Sequence, residues 1–267
     1  GDSAADGNHA VIEGGRAEFV IGGATNGTGK VSYNTVTVSG GEVGSAGVNA
    51  GGAFGGASMG PGAGDVMHNS VTIAGGKIEG SVYGGYAVGT GNVTNNSVAI
   101  AGGRFENAGT APDVYGGYTD GTGKTTGNTV ILGAEDGAYA ADLSHAKIHG
   151  GSEAEDNTLR IRGKGITVLS ADNFDKYDFQ LRGSLADGDT LLTLKNGGFG
   201  REIDWQNNFV VDTSKLKGVP SGAVTLLKSD TANALTFKNY ATRDHSTGNT
   251  EYFIGTNTGT DTATSVI

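Results

Sequence analysis

The chain contains no cysteine and has only 3 prolines and 1 tryptophan among its 267 residues. Without cysteine it can form no disulfide, no Cys-ligated zinc site and no thiol nucleophile. Basic residues are also few, 18 Lys and Arg against 28 Asp and Glu, which leaves a net charge of -10. Such a chain has no general attraction for phosphate backbones, so we expect no nucleic-acid partner. No apolar run approaches the ~18 residues of a membrane-spanning helix.

Glycine, in contrast, is abundant, with 50 residues. The glycines follow no three-residue period and prolines are rare, so a collagen triple helix is excluded. Many of them close a recurring phrase, Asn-x-Val-x-Ile followed by a glycine pair. A fixed phrase with a drifting period of about 30 residues is typical of stacked coils, each of which buries its apolar face on the next. The phrase begins at Asn8, Asn34, Asn69, Asn96, Asn128 and Asn157, in steps of 26, 35, 27, 32 and 29 residues. The last two copies are imperfect, since they end in Gly133-Ala134 and Gly163-Lys164 instead of a glycine pair.

Apolar and polar residues alternate within each phrase, which is the pattern of a strand with one buried face. In the third copy Val71 and Ile73 point inwards, while Ser70 and Thr72 point outwards. We therefore predict an all-β fold, a parallel β-helix (β-solenoid) of about six repeats over residues 1–164. We interpret the six asparagines as a structural ladder, whose stacked amides hydrogen-bond from coil to coil. The inward pairs are Ala10/Ile12, Val36/Val38, Val71/Ile73, Val98/Ile100, Val130/Leu132 and Leu159/Ile161.

A second strand leads into another glycine pair in five copies. The residue two places before each pair is aliphatic, so we place it inside, and the residue just before the pair then faces outwards. We expect these glycines at corners, where a positive φ or a close backbone approach is needed. Loops 42–52 and 104–113 vary in length and are candidate recognition elements. The pairs are Gly22-Gly23, Gly55-Gly56, Gly84-Gly85, Gly116-Gly117 and Gly150-Gly151.

The character of the sequence changes near residue 162, where the phrase stops and charged and aromatic residues become more frequent. The last coil of a solenoid exposes unpaired backbone and needs a cap. We assign residues 165–267 to a β-rich capping or junction region, with continuation of the solenoid as the alternative.

Three segments of this region resemble the end of a type V autotransporter passenger of Gram-negative bacteria, and the Val-Tyr-Gly-Gly repeats before them fit the same family. The resemblance implies a right-handed parallel β-helix on the extracellular face of the outer membrane, commonly in adhesion. It implies a host cell-surface protein, a host glycan or neighbouring bacteria as partner, and membrane attachment only through a C-terminal β-barrel that this sequence lacks. The segments are Asn157-Thr-Leu-Arg-Ile-Arg-Gly-Lys-Gly-Ile-Thr-Val, Asn173-Phe-Asp-Lys-Tyr-Asp-Phe-Gln-Leu and Gly188-Asp-Thr-Leu-Leu-Thr-Leu.

Aromatic residues at matching positions of neighbouring repeats form the candidate binding site. Tyr83, Tyr86, Tyr115 and Tyr118 would lie together on the outer face, with Phe54 one coil away. Tyrosine is a common interface anchor, because its ring is apolar and its tip is polar. The alternative is a stacked ladder that only stabilises the solenoid.

We expect no catalytic residue, no metal and no cofactor. Ser58 sits in a Gly-x-Ser-x-Gly sequence, but the strand–turn–helix context of a nucleophile elbow is missing, and glycine is so frequent that such a match is unremarkable. The five histidines show no ligand spacing and are interpreted as scattered surface residues. Calcium binding through loop carboxylates such as Asp113 or Asp120 stays open.

The sequence thus favours a non-enzymatic cell-surface passenger that acts as an adhesin or as a host-ligand-binding stalk. Two alternatives remain. A polysaccharide-active β-helix enzyme would need acidic and basic residues on one face, and the sequence has no obvious cluster of Asp with Arg or Lys across adjacent coils. A purely structural spacer would need no site at all.

Overall fold

The computed structural model describes residues 3–45, 51–60, 62–153, 155–218, 222–247, 250–260, 262–263 and 265–267. These residues form 32 β-strands and no helix, so the predicted all-β class is confirmed. The described ranges therefore contain no helix that is long and apolar enough to cross a membrane. The strands belong to several sheets, most of them parallel, and each repeat contributes one strand to each of the main sheets.

The six Asn-x-Val-x-Ile phrases supply six strands of one eight-stranded sheet, in which every neighbouring pair is parallel. The second and fourth residues of strands two to six face the interior and are at most 1% exposed. The first strand is only partly buried at the same two positions. The eight strands are β2 (His9–Ile12), β6 (Thr35–Val38), β10 (Ser70–Ile73), β14 (Ser97–Ile100), β19 (Thr129–Leu132), β21 (Thr158–Ile161), β23 (Lys176–Gly183) and β26 (Phe209–Leu216).

A ten-stranded sheet faces this one across the core and is parallel except at its last strand, which pairs antiparallel. The aliphatic residues that the sequence places inside, Val20, Ala53, Val82, Val114 and Ile148, are all buried. The strands are β4 (Phe19–Thr25), β8 (Gly52–Ser58), β12 (Ser81–Ala87), β16 (Asp113–Tyr115), β17 (Tyr118–Thr119), β20 (Leu143–His149), β22 (Ile166–Asp172), β24 (Thr190–Leu194), β27 (Thr225–Ser229) and β32 (Ser265–Val266).

Two narrower parallel sheets complete the repeats. The loops 42–52 and 104–113 begin later than predicted, because the first two residues of each form a strand of the four-stranded sheet. Residues 46–50 of the first loop lie outside the described ranges. The five-stranded sheet contains β1 (Ala5–Asp6), β5 (Val31–Ser32), β9 (Val66–Met67), β13 (Val93–Thr94) and β18 (Thr125–Thr126). The four-stranded sheet contains β3 (Arg16–Ala17), β7 (Glu42–Val43), β11 (Lys77–Ile78) and β15 (Arg104–Phe105).

Parallel pairing continues past residue 164, since β23 and β26 extend the eight-stranded sheet and β22, β24 and β27 extend the ten-stranded one. The core becomes aromatic here: Trp205 stacks on Phe209 at 5.0 Å, and Phe237 meets Trp205 edge-on at 5.1 Å. All three are fully buried. The remaining strands are β25 (Ile203–Asp204), β28 (Leu235–Lys238) and β31 (Thr262–Ala263) in one sheet, and β29 (Arg243–Thr247) with β30 (Thr250–Ile254) in an antiparallel pair.

The corner position predicted for the second set of glycine pairs is wrong. The first three of these pairs lie in the middle of β4, β8 and β12, and none of their glycines has a positive φ. The close backbone approach predicted for them is present, since a Cβ on Gly84 would clash with the backbone oxygen of Gly116 and a Cβ on Gly85 would lie 2.6 Å from Cγ of Asn96. The glycines that do turn a corner with positive φ end the Asn-x-Val-x-Ile phrases, at Gly15, Gly41, Gly76 and Gly103.

Candidate functional site

The six asparagines of the repeat lie in a single hydrogen-bonded column. Each side-chain oxygen accepts hydrogen bonds from both the backbone N–H and the side-chain amide of the asparagine one repeat earlier. For Asn69 and Asn96 these N···O distances are 2.9 and 3.0 Å. The same pair of bonds links every step from Asn8 to Asn157, at distances between 2.8 and 3.2 Å.

The column also satisfies the backbone of the neighbouring five-stranded sheet. The side-chain amide of Asn96 donates to the carbonyl oxygens of Val66 and Thr94, at 3.0 and 3.1 Å. Asn34 through Asn157 are at most 1% exposed. Buried amides with all their groups paired stabilise a fold and cannot reach a ligand. The geometry therefore gives the asparagines a structural role.

The outer face of the ten-stranded sheet carries a column of stacked rings. Phe54 lies on Tyr83 at 4.8 Å, and Tyr83 lies on Tyr115 at 5.3 Å with only 2° between the ring planes. The column extends beyond the predicted residues at both ends, since Phe19 stacks on Phe54 at 6.4 Å and His149 stacks on Tyr115 at 4.4 Å. We call these five rings the aromatic column.

Tyr86 and Tyr118 form a second, parallel row beside the aromatic column. Their rings stack at 5.8 Å with 15° between the planes. Tyr86 meets Tyr83 edge-on at 5.3 Å, and Tyr118 lies 4.7 Å from Tyr115. The structure thus brings all five aromatic residues named from the sequence into one cluster.

This packing decides which parts of the rings a partner can touch. Most ring faces in the column are covered by the ring of the next repeat, so a partner meets edges and hydroxyl groups. Phe54 is only 7% exposed, whereas Phe19, at the end of the column, is 54% exposed. The Tyr86 hydroxyl donates to Oδ2 of Asp120 at 3.1 Å. Burial and this carboxylate raise the pKa of Tyr86 to about 12, so the hydroxyl stays a hydrogen-bond donor throughout the physiological range.

His149 is the residue that the sequence interpretation misplaced. It is not a scattered surface histidine: its side chain is 11% exposed, and its ring bridges two aspartates. Nδ1 lies 2.5 Å from Oδ1 of Asp172, and Nε2 lies 3.2 Å from Oδ1 of Asp113. Burial alone would lower the pKa of His149, but the hydrogen bonds to both aspartates outweigh it and raise the pKa above its ordinary value. The column therefore ends on an imidazole that is stacked on Tyr115 and hydrogen-bonded to two carboxylates.

The structure pairs acidic and basic side chains of different repeats, although the sequence shows no obvious cluster of Asp with Arg or Lys across adjacent coils. On the four-stranded sheet the buried carboxylate of Glu79 lies 2.8 Å from Nη2 of Arg16 and 2.6 Å from Nζ of Lys77. On the eight-stranded sheet Nε of Arg160 lies 2.7 Å from Oδ2 of Asp178 on the next strand. The register between repeats creates the pairs Arg16–Glu79 and Arg160–Asp178, whose residues are 63 and 18 positions apart in the sequence.

The other residues considered for chemistry are either buried or bonded to neighbouring side chains. Ser58 is fully buried within β8, so it is not presented as an exposed nucleophile. Asp113 and Asp120, the calcium candidates, have His149 and Tyr86 as partners. Among the residues described, no group of three or more His, Asp or Glu side chains is arranged to hold a metal ion.

Comparison of the chain with protein-family models, with curated proteins and with solved structures found no match in any of the three. The aromatic column and its neighbouring tyrosine row are therefore interpreted from their own geometry.

Proposed function

We propose that the chain is a right-handed parallel β-helix, the passenger segment of a Gram-negative type V autotransporter, and that it acts at the bacterial cell surface as a non-enzymatic adhesin or ligand-binding stalk. The aromatic column with Tyr86 and Tyr118 would bind a host cell-surface protein or glycan. The observation that carries the binding role is the alignment of outward rings over successive repeats on one face.

The solenoid part of the proposal is supported by strand order. In each of the first four repeats, one strand joins the five-stranded sheet, the next joins the eight-stranded sheet, and then come the four- and ten-stranded sheets. The next repeat begins again in the same order and pairs in parallel with the previous one. A chain that visits the same sheets in turn and always advances by one strand describes a helix of β-strands.

The binding part is supported by composition and chemistry. Seven aromatic rings, counting His149, gather on one sheet face, whereas only 7% of the residues of the chain are Phe, Trp or Tyr. Stacking covers the ring faces, so recognition would use ring edges and tyrosine hydroxyls, which donate and accept hydrogen bonds. Such groups suit the hydroxyls of a glycan or the polar backbone of a protein.

The test compares hydroxyl removal with ring removal at Tyr86 and Tyr118, which lie at the edge of the cluster. Glycan-array and cell-binding assays would use the Tyr86→Phe/Tyr118→Phe and Tyr86→Ala/Tyr118→Ala pairs. Tyr33, 61% exposed and outside the cluster, supplies the matched control Tyr33→Ala. We expect the alanine pair to lose binding by about 10-fold or more and the control to keep it, since aromatic anchors dominate interfaces. Equal binding by all variants with intact circular dichroism would remove the aromatic site.

A polysaccharide-active enzyme is the second candidate, favoured by the placement of His149 between two aspartates on an outward face. A histidine held in this way can exchange protons with a substrate. Incubation with pectins, glycosaminoglycans and mucins would detect released products. Turnover that disappears in Asp172→Asn would establish an enzyme, and no product from any substrate would leave the binding role. If the wild-type protein neither binds nor turns over any ligand, the spacer role is the one supported.

A further inference from the structure

A cavity of about 300 Å³ lies where the loop after β19 meets the ends of β21 and β23. It is lined by none of the residues of the aromatic column and belongs to none of the sites above. Its walls are backbone and side chains of three segments, 136–138, 162–164 and 181–185, closed by Leu191. Its size is at the lower end of the range of small-molecule pockets.

Arg182 lines this cavity and is the most unusual polar residue of the fold. Its side chain is only 5% exposed. Nη2 donates to Oε1 of Gln180 at 2.8 Å, but Nε and Nη1 are buried without a hydrogen-bond partner. The nearest carboxylates, of Glu135 and Asp212, lie 3.7 and 3.6 Å from the guanidinium nitrogens, beyond hydrogen-bond distance. Buried N–H groups without acceptors are rare and costly, and a charged donor is the costliest kind.

Two further cations line the same space. Arg162 donates from Nε to Gln180 and pairs through Nη1 with Glu135, at 2.7 Å. Lys164 pairs with Asp189 at 2.7 Å and keeps a side chain that is 48% exposed. The lining therefore holds three cationic side chains, those of Arg162, Lys164 and Arg182, against one carboxylate, that of Asp136.

The carboxylates around the cavity lie within ion-pair distance of Arg182 but accept no hydrogen bond from its Nε or Nη1. Asp136 accepts the backbone N–H of Ala138 at 3.0 Å. Glu135 is 61% exposed and is shared among three cations. Its carboxylate lies 2.7 Å from Nη1 of Arg162, 3.0 Å from Nζ of Lys215 and 3.7 Å from Nη2 of Arg182. Burial lowers the pKa of Arg162 against the opposing charge of Glu135, and the neighbouring Arg160 and Arg182 act in the same direction as burial. An acceptor group in the cavity would satisfy the buried N–H groups of Arg182 that have no partner.

We propose that the cavity binds the carboxylate of a sugar acid about the size of one monosaccharide, with Arg182 as the central donor and Lys164 at the entrance. A planar carboxylate provides strong acceptors for guanidinium N–H groups. Leu181, Leu185 and Leu191 form an apolar wall for the carbon face of the ring. This inference goes beyond the proposed function, because it concerns the lining of this cavity and uses none of the rings of the aromatic column. The free acid and the end of an acidic glycan share the chemistry that the cavity would recognise.

Isothermal titration of the whole chain with sodium D-glucuronate, with D-glucose as the uncharged control, tests the proposal. We expect saturable binding of glucuronate and none of glucose at concentrations up to about 50 mM. Arg182→Lys keeps the charge but removes the planar donors and should weaken binding by about 10-fold or more. Lys164→Gln should weaken it by about 3-fold, as expected for a partly exposed cation. A glucuronate-terminated oligosaccharide, titrated in the same way, distinguishes a glycan end from a free acid as the source.

Two further variants keep the test decisive if Arg182→Lys does not fold. Ala138→Leu adds bulk to the cavity lining without changing charge and should abolish binding. Arg201→Gln removes an exposed arginine that pairs with Asp175 outside the cavity, and it should leave binding unchanged. Absence of saturable glucuronate binding, binding equal to that of glucose, or undiminished binding in Ala138→Leu would overturn the proposal.

Discussion

Removal of one asparagine from the middle of the column tests the forces that hold the repeats together. The Asn96 side chain takes part in five hydrogen bonds. It accepts from the backbone and side-chain nitrogens of Asn69, and it donates to Val66, Thr94 and Asn128. Asn96→Ala removes all five and leaves the buried backbone N–H of Asn69 without its acceptor.

The expected cost follows from these contacts. A buried N–H left without an acceptor costs about 1–3 kcal/mol, and each of the two bonds between side-chain amides contributes about 0.5–1 kcal/mol net. The bonds to the two carbonyls add less, because the carbonyl of Thr94 also accepts from the backbone N–H of His68. We therefore expect Asn96→Ala to lower the free energy of unfolding by about 3–4 kcal/mol.

Urea-induced unfolding followed by circular dichroism measures this loss, with Asn92→Ala as the matched control. Asn92 is an exposed asparagine of the same repeat, bonded through its side chain to Asp65 and to the backbone of Lys124. Its removal should cost less than about 1 kcal/mol, as for most surface substitutions. Equal and small losses for the two variants would refute the reasoning that the buried column stabilises the stack.

Two further predictions concern the neighbours of the columns. Gly85→Ala should cost about 1–3 kcal/mol by overpacking, since the three atoms nearest to its Cβ would all belong to the Asn96 side chain, and this cost should shrink in the Asn96→Ala background. Gly14→Ala, where a Cβ meets nothing, should be nearly neutral by the same unfolding assay. The raised pKa of His149 means that its ionic contribution is complete below the unfolded pKa near 6.5 and is lost as pH rises through the folded value. Stability should therefore fall over that pH interval, and His149→Gln should flatten this part of the profile; an unchanged profile would contradict it.

The periodic part of the fold was accessible from sequence because one short phrase encodes both the strand and its buried face. Alternation at Val71 and Ile73 and the recurring asparagine together define the eight-stranded sheet. The glycine pairs were misassigned for a specific reason. A local pattern cannot reveal that Asn96, eleven residues after Gly85, folds back to occupy the space where a Cβ would stand.

The candidate sites were only partly predictable, since they depend on register between distant repeats. The tyrosines recur at matching places, so their clustering could be foreseen. Phe19 could not, because its register partner is Gly52 and its ring reaches across to Phe54. His149 meets Asp172 only because β22 continues the ten-stranded sheet after the phrase has ended.

No sequence signal predicts the two buried nitrogens of Arg182 that lack a hydrogen-bond partner. Their burial follows from the loop after β19, where Gly137 packs on the Arg182 stem: a Cβ at Gly137 would lie 2.7 Å from Cβ of Arg182. This contact joins segments 45 residues apart that share no motif. Charged residues become more frequent near residue 162, which we interpreted as the start of a capping region. Three of these residues, Arg162, Lys164 and Arg182, line the cavity.

The central claim, that successive repeats add one strand at a time to the same sheet, can be measured directly as a distance. Val11 and Val210 are exposed, 46% and 49%, and they stand at opposite ends of one in-register row across eight strands. Because the chain has no cysteine, spin labels on Val11→Cys and Val210→Cys would be its only two labels. Seven strand spacings of about 4.8 Å predict a separation of about 34 Å between the two backbones. A double electron–electron resonance distribution centred near that value supports the stack, and one centred below about 20 Å or above about 50 Å contradicts it.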